Sequence, residues 1–243
     1  MYNSLKNSLT RFIPKKLLFR IEPILRKCYA IFKKGNNHEC VICEFKASDW
    51  VHLPNHDLLC PNCGSLARDR RLWQLVKENY IKNNIQILDF SPSRPLFRKW
   101  KKEKNVKHIA SDLSGDFIAD VTFDITQIPE KENTFDLIIC YHILEHVIDD
   151  VKAMSELHRV LKPNGTVLIQ TPFKEGDIYE NYNISSEAER LLHFGQEDHV
   201  RIYSIEGLKN RLVSAGLTVT VNQYEKDAYL GFSDKEVILF ATK

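Results

Sequence analysis

Four of the six cysteines stand in two pairs, Cys40 with Cys43 and Cys60 with Cys63, and 16 residues separate the pairs. This is the spacing of a zinc ribbon. Each pair can form a tight turn that points two thiolates at one ion, and two such turns complete a tetrahedron. Two disulfides are the alternative, but nothing in the sequence indicates secretion. Because four thiolates leave the ion no open position, the zinc is expected to be structural.

Histidines near the pairs are alternative ligands. Any of His38, His52 and His56 could replace one of the thiolates. The two remaining cysteines, Cys28 and Cys140, are expected to be buried apolar residues.

Acidic residues lie at the carboxyl ends of three of the predicted strands. Asp89 lies in "IQILDF" (85–90), Asp112 follows "VKHIAS", and Asp124 lies in "ADVTFDI" (119–125). Strands that alternate with helices predict an α/β, Rossmann-like, doubly wound sheet, in which ligands bind at the carboxyl ends of the strands. Seven strands are expected, mostly parallel, with the last one antiparallel. Three carboxylates at one edge favour a cationic ligand, and Asp112 can accept hydrogen bonds from a ribose diol.

Two histidines follow the later strands. His146 lies in "YHILEHV" (141–147), and His199 lies in "FGQEDHVRIY" (194–203). Both are candidate general bases because imidazole titrates near neutral pH. The insertion 172–203, between the fifth predicted strand and the next helix, is expected to form a substrate lid. The alternative for His146 is a packing or capping role.

Together these segments resemble the class I S-adenosylmethionine-dependent methyltransferases, in the branch that carries "LEHV" after the fourth strand. The residues that carry the resemblance are "ILDF", "SDL", "FDITQIPEKENTFDLIICYHILEHV" and "VLKPNGTVLI", in the order of the family, and 204–243 match the family's tail. A bacterial subgroup with a zinc ribbon in front and "FGQEDHVRIY" behind is also similar, and its members are associated with surface-polysaccharide functions.

The resemblance implies that S-adenosylmethionine is the methyl donor and that the strand ends surround it. Its methionine and ribose part would lie against the end of the first strand, its ribose hydroxyls on Asp112, and its adenine beside Asp124. The implied donor-binding residues are Asp89, Phe90, Ser91, Ser93, Asp112, Leu113, Asp124, Ile125, Tyr141 and His142.

The loop after the first strand departs from the family's pattern. The family usually has Gly-x-Gly-x-Gly there, whereas this chain has "SPSRP" (91–95). Glycine lets the backbone approach a ligand and adopt positive φ. Ser91 and Ser93 are small enough for close approach, so donor binding is expected, and an inactive relative stays an alternative. Arg94 either reaches the carboxylate of the donor or lies in solvent.

Residues 1–37 form a basic arm, with nine Lys and Arg and one acid, Glu22, so that the rest of the chain is mildly acidic. Apolar residues recur in the arm at helical spacing, and Pro14 and Pro23 are expected to divide it into short helices. The arm could lie on an anionic membrane surface, pack on the body or a second copy, or bind RNA.

The predicted domains are the arm (1–37), the zinc ribbon (38–66) and a methyltransferase domain (67–243). A cytoplasmic enzyme, peripheral at the inner face of the membrane, is expected because no apolar run is long enough to span a bilayer and no signal peptide is evident. The predicted reaction is methyl transfer to a hydroxyl of a small molecule or glycan. The alternatives are an RNA methyltransferase and a non-catalytic scaffold.

Overall fold

The computed structural model describes residues 15–81 and 84–243. Its contacts divide the chain into two units. The first comprises the residues up to Leu75 together with Glu225–Asp234, and the second comprises Val76–Tyr224 and Lys235–Lys243. Within the described ranges, no helix combines the length and the apolar character that crossing a membrane would require.

The first unit contains a long helix and four short strands that form two antiparallel pairs, β1 with β2 and β3 with β4. The helix that links it to the second unit, α2, starts in this unit. The elements are α1 (Lys15–Ile31), β1 (Lys34–Glu39), β2 (Lys46–Ala47), β3 (Val51–His52), β4 (Leu58–Leu59) and α2 (Ala67–Asn79).

The helix α1 corrects two predictions about the arm. Pro23 lies inside one continuous helix, so the predicted break at this residue is wrong, although proline there removes a backbone hydrogen bond. Cys28, expected to be buried, is exposed on α1, whereas Cys140 is buried as predicted. Leu25, Ile31 and other large apolar side chains of α1 are also exposed. The part of the arm before Lys15, which includes Pro14, lies outside the described residues.

A fully buried arginine organises the first unit. Arg70 stacks over the Trp50 ring, 4.2 Å from its centroid, and donates to four backbone carbonyls at 2.6–3.1 Å. The acceptors are Leu58, Ser65, Leu230 and Gly231. Arg71 donates to the carbonyls of Glu225 and Ser233. The segment 225–234, which the sequence placed in the methyltransferase domain, is therefore bound within the first unit by arginine side chains of α2.

The second unit is built on a six-stranded sheet with the order β11-β12-β8-β7-β5-β6. Only β12 runs against the others, which confirms the antiparallel last strand. The strands of this sheet are β5 (Ile85–Phe90), β6 (Val106–Ser111), β7 (Phe135–Tyr141), β8 (Leu161–Gln170), β11 (Thr218–Tyr224) and β12 (Glu236–Thr242).

The segment 119–125, predicted as a strand, does not join this sheet as one. It makes only isolated bridges, Ser111 with Val121 and Asp124 with Gln127, so the expected seventh strand is wrong for the part of the chain that the structure describes. Polar side chains explain the difference. The Asp120 carboxylate accepts from the Ala110 amide at 3.0 Å, and the Asp124 carboxylate accepts from Thr126. Hydrogen bonds between side chains and backbone amides compete with a strand ladder.

Helices and short strands complete the second unit. They are α3 (Arg94–Trp100), α4 (Asp150–Val160), β9 (Tyr179–Glu180), α5 (Glu187–Phe194), β10 (Arg201–Ile202) and α6 (Ile205–Ser214). The chain passes from β5 to β6 on one side and then returns to β7 on the other side. In sheets of this type, the crevice for a ligand opens at this reversal of strand order.

Candidate active site and metal centre

The strand ends named by the sequence lie side by side. Phe90 pairs with Ser111 at the ends of β5 and β6, and Tyr141 pairs with Gln170 at the ends of β7 and β8. Beyond the last pair, the His142 amide donates to the Gln170 carbonyl at 2.8 Å, and His142 takes a left-handed backbone with φ of 54°. The residues predicted around a donor therefore gather at one edge of the sheet.

Ser91 takes the backbone conformation that glycine would supply in the loop after β5. Its φ is 49°, in the left-handed region that L-residues rarely adopt. Its amide donates to the Ser111 carbonyl at 2.7 Å, and its hydroxyl donates to Oδ1 of Asp112 at 2.8 Å. The loop therefore achieves a glycine-like turn without glycine, and it ties the first strand end to the second.

The Asp112 carboxylate, predicted to hold the ribose, already has several partners. Oδ2 accepts from the amides of Gly115 at 2.6 Å and Phe117 at 3.3 Å, and the Ser114 hydroxyl lies 3.1 Å from both oxygens. The residue is only 4% exposed. A ribose diol would have to displace part of the loop 113–117, since a carboxylate offers about four acceptor sites.

Asp89 lies deeper than a donor-binding side chain would. It is 1% exposed, and its Oδ2 accepts hydrogen bonds from Nε1 of Trp100 at 3.2 Å and from Nε2 of His108 at 3.2 Å. Burial raises the pKa of this carboxyl above its ordinary value. Of its predicted neighbours in the loop, Phe90 is buried, and Ser93 is the N-cap of α3.

The residues expected around the adenine differ in exposure. Asp124 is exposed, and its Oδ1 accepts from the Thr126 amide and hydroxyl, both at 2.8 Å. Ile125 is buried beside it, whereas Leu113 keeps 63% of its surface exposed. The exposed Leu113 side chain offers an apolar surface beside Asp112 to which an aromatic ring can bind.

The two candidate bases meet at one place. His146 ends a 3-10 turn, Leu144–His146, and its ring centroid lies 4.6 Å from that of His199. Glu145 and His199 are buried. His146 Nδ1 lies 3.1 Å from the Asp198 carboxylate. Burial, followed by the nearby His146, lowers the pKa of His199, so its imidazole is neutral at pH 7 and can accept a proton.

Arg201 fastens the insertion 172–203 to the turn that carries these side chains. It is completely buried and donates to the carbonyls of Leu144 at 3.1 Å, Ile148 at 2.8 Å, and Val147. The next amide along the chain, that of Val200, donates to the Glu145 carbonyl at 2.9 Å. The position of His199 is therefore fixed relative to that of Glu145.

A network of charges supports Arg201. Its Nε donates to Glu180 at 3.0 Å, and Arg211 bridges Glu180 and Asp150 at 2.5 Å and 2.6 Å. The Tyr203 hydroxyl donates to the same Asp150 oxygen at 2.5 Å. Sequence reasoning missed these residues, because an arginine that binds buried carbonyls has the same sequence signal as one in solvent.

A hollow of about 480 Å³ opens beside α5. It is lined by α5 and by residues 195–198, which include the Asp198 that pairs with His146. The predicted lid segment thus places an open surface next to the two histidines.

The four paired cysteines converge in the first unit. The Sγ atoms of Cys40 and Cys63 lie 3.7 Å apart, as do those of Cys43 and Cys60. Sulfurs bound at about 2.3 Å to one tetrahedral ion are about 3.8 Å apart, whereas a disulfide needs about 2.05 Å. The arrangement suits a four-thiolate zinc site and does not form the two disulfides.

The two turns of the ribbon have matching geometry. The Gly64 amide donates to the Cys60 carbonyl, and the Glu44 amide donates to the Cys40 carbonyl. Both residues have positive φ, 80° for Gly64 and 59° for Glu44. Glu44 therefore fills the glycine position of the first turn, and its side chain tolerates the left-handed conformation there.

Comparison with known proteins gives the family. The family model described as "Methyltransferase domain" matches residues 66–221. The uncharacterized protein MJ0638 of Methanocaldococcus jannaschii is 25% identical over 163 residues, which cover 63% of this chain and 71% of that protein. The tRNA U34 carboxymethyltransferase of Nautilia profundicola is 27% identical over 120 residues, 43% of this chain and 40% of that enzyme.

A solved structure shows the same fold. A SAM-dependent methyltransferase from Archaeoglobus fulgidus superimposes with a TM-score of 0.52 and 17% identity, over 72% of this chain and 93% of that one. The matched family model covers more than half of the chain, including the ends of β5, β6, β7 and β8 described above. The chain therefore belongs to the methyltransferase family.

Proposed function

We propose that this protein transfers a methyl group from S-adenosylmethionine to a hydroxyl of a small molecule or glycan. The observation that carries the proposal is the joining of two groups of side chains at one sheet edge. The glycine-like turn at Ser91 follows β5, and Asp112 follows β6. His146 and His199 meet beyond β7. The first group suits a cationic nucleoside, and the second suits proton removal from an acceptor.

In the proposed reaction, the acceptor oxygen attacks the methyl carbon in line with the sulfonium. The carbon–oxygen bond forms as the carbon–sulfur bond breaks, and that bond's electron pair stays on sulfur. The hydroxyl proton passes to His199 or His146. Holding donor and acceptor in line supplies most of the rate enhancement, and the histidines add general-base catalysis.

Donor binding can be tested directly by calorimetric titration with S-adenosylmethionine and with its demethylated product. Asp112→Ala should weaken donor binding far more than His199→Ala, because only Asp112 is assigned to the ribose. Equal losses in the two variants would mean that these roles are assigned to the wrong residues. Wild-type protein that gives no heat with either compound would refute the proposal.

The acceptor class can be identified by incorporation of radiolabelled methyl groups into fractions of a host extract. Label should enter lipid-linked glycans or small molecules. Label that appears only in RNA would favour the second candidate function.

That second candidate, an RNA methyltransferase, is favoured by the similarity to an enzyme whose name specifies tRNA. The ribbon provides less basic surface than its sequence indicates. Arg70 and Arg71 donate hydrogen bonds to backbone carbonyls of their own unit, and Arg68 lies 3.9 Å from Asp57. Retention on RNA with a steep dependence on salt concentration would support this alternative.

The third candidate, a non-catalytic scaffold, is favoured by the Asp112 carboxylate, whose acceptor sites are occupied by protein donors. Under this alternative the loop 113–117 stays closed and no donor binds. The calorimetric titration distinguishes it from the first proposal.

Two accessory features complete the proposal. The four clustered cysteines bind one structural zinc ion. The exposed apolar side chains of α1, with the arm's excess of positive charge, favour contact with an anionic membrane surface, so that a cytoplasmic enzyme would work at the inner face of the membrane. Vesicle sedimentation with and without anionic lipid tests this contact, and analytical ultracentrifugation tests the alternative of a homodimer.

A further inference from the structure

Glu145, His146 and His199 offer one ligand atom each, and these three atoms all lie within 4.8 Å of one another. We propose that the three side chains bind a divalent transition-metal ion, in a site separate from the cysteine ribbon. The binding of this ion is independent of the methyl-transfer proposal, whereas its use in catalysis rests on that proposal.

The first support is that polar atoms are buried there without hydrogen-bond partners. Glu145 is 1% exposed, and among the described residues its Oε2 has no hydrogen-bond partner. Nδ1 of His142 lies 3.2 Å from Oε1 of this carboxylate. His199 is 3% exposed, and its Nε2 has no partner in the same set. Leaving such groups unsatisfied is unfavourable, most of all for a charged group, and a bound cation would offset this cost.

The donor set indicates the class of ion. Two imidazoles and one carboxylate suit borderline cations such as Zn²⁺, Fe²⁺ and Co²⁺, whereas Mg²⁺ and Ca²⁺ prefer ligands that are all oxygen. Three protein ligands leave open positions for water or a substrate oxygen, unlike the closed four-thiolate ribbon. The same chain would therefore hold one structural ion and one that remains accessible.

The geometry needs little adjustment. Ligands that each lie about 2.1 Å from a common ion are at most about 4.2 Å apart, so small side-chain rotations close the site. The Asp198 carboxylate lies 3.1 Å from Nδ1 of His146, and a hydrogen bond between them would leave Nε2 of that ring to bind the ion. A carboxylate behind a metal-binding histidine is a common way of orienting the ring. The hydrogen bond from the Val200 amide to the Glu145 carbonyl holds the two halves of the site together.

If methyl transfer occurs as proposed, the ion would bind the oxygen of a hydroxyl acceptor and lower its pKa. The proton then goes to water, the oxygen attacks the methyl carbon, and the electron pair of the broken carbon–sulfur bond stays on sulfur. His146 and His199 would act through the ion instead of as free bases.

The test is a calorimetric titration of Co²⁺ alone into the full chain with its ribbon loaded with zinc, followed in parallel by visible absorption. Wild-type protein should bind one further equivalent without thiolate charge-transfer bands. Glu145→Gln, which preserves the side-chain shape, and His199→Ala should each weaken binding by at least about tenfold. His158→Ala, on the partly exposed face of α4, is the matched control and should bind as wild type.

Absence of cobalt binding in wild-type protein, or equal affinity in Glu145→Gln, would overturn the metal site. Thiolate bands on every added equivalent would also overturn it, because they place the cobalt in the ribbon. Titration with S-adenosylmethionine in the same samples separates the two proposals. Cobalt binding without donor binding would refute only methyl transfer, and donor binding without cobalt binding would refute only the metal site.

Discussion

The Ser91 hydroxyl donates to the Asp112 carboxylate at 2.8 Å, from a backbone held at a φ of 49°. One serine therefore performs two tasks, since it replaces the glycine of the turn and it occupies an acceptor site of the proposed ribose ligand. A left-handed non-glycine residue is strained by roughly 1–2 kcal/mol.

Comparing Ser91→Gly with Ser91→Ala isolates that strain, because both variants lose the hydroxyl and only glycine relaxes the backbone. Ser91→Gly should be the more stable of the two by about 1 kcal/mol in urea unfolding. At Ser155, an exposed position within α4, the order should reverse because alanine is the better helix former by about 1 kcal/mol. The same order at both positions would contradict a strained turn at Ser91.

Some features of the fold and of the candidate sites could be predicted from the sequence, and others could not. The strand ends, the four-cysteine site and the position of the turn follow from apolar runs and from spacing, which are local signals. The absent seventh strand did not follow, because the Asp120 carboxylate binds the amide of Ala110, ten residues away along the chain, which only folding brings near. The same holds for Arg70, whose acceptors at Leu230 and Gly231 are 160 residues or more away along the chain.

Arg201 should be essential for holding the insertion 172–203. Arg201→Met removes the donor for three carbonyls and leaves Glu180 and Asp150 with Arg211 as their remaining cation. Breaking a buried charge network of this kind costs about 3–5 kcal/mol. Chemical unfolding should show this loss, and limited proteolysis should cut within the insertion.

The matched control for this loss is Lys209→Met, which removes a partly exposed cation 3.5 Å from Glu206 on α6. Such surface pairs contribute about 1 kcal/mol or less. Equal destabilisation by the two variants would show that the network around Arg201 does not fasten the insertion.

Gly231 allows the segment 225–234 to approach the ribbon. A Cβ atom there would lie 2.6 Å from Cε2 of Trp50 and 2.7 Å from Nη2 of Arg70, and the φ of Gly231 is 67°. Gly231→Ala should therefore destabilise the protein through both backbone strain and overlap. Gly176→Ala is the control, because Gly176 has a φ of 87° but open space around its Cβ direction. Gly231→Ala should cost at least about 1 kcal/mol more in thermal unfolding, and a smaller loss than in Gly176→Ala would refute the close contact.

Substitutions of Cys43 and Cys28 test the proposed zinc ribbon. After exchange of the metal for Co²⁺, wild-type protein and Cys28→Ser should show thiolate charge-transfer absorption, because Cys28 is exposed and outside the cluster. Cys43→Ser should lose most of this absorption and unfold at a lower temperature, since metal binding contributes directly to folding in sites of this type. Retention of full absorption by Cys43→Ser would remove Cys43 from the ligand set.

Asp89 gives a prediction on pH. Burial raises the pKa of its carboxyl above the unfolded value of about 3.9. The contribution of this group to stability is therefore complete below the unfolded pKa and is lost as the pH rises through the folded pKa. Asp89→Asn keeps an oxygen acceptor for Trp100 and His108 but carries no charge, so its stability relative to wild type should increase between pH 3 and pH 7. Urea unfolding of the donor-free proteins across that range measures the difference.

Asp177→Asn, on an exposed loop, is the control that separates the effect of burial from the mere loss of one negative charge. A relative stability that stays constant or falls with pH would mean that hydrogen bonds from Trp100 and His108 outweigh the burial of Asp89.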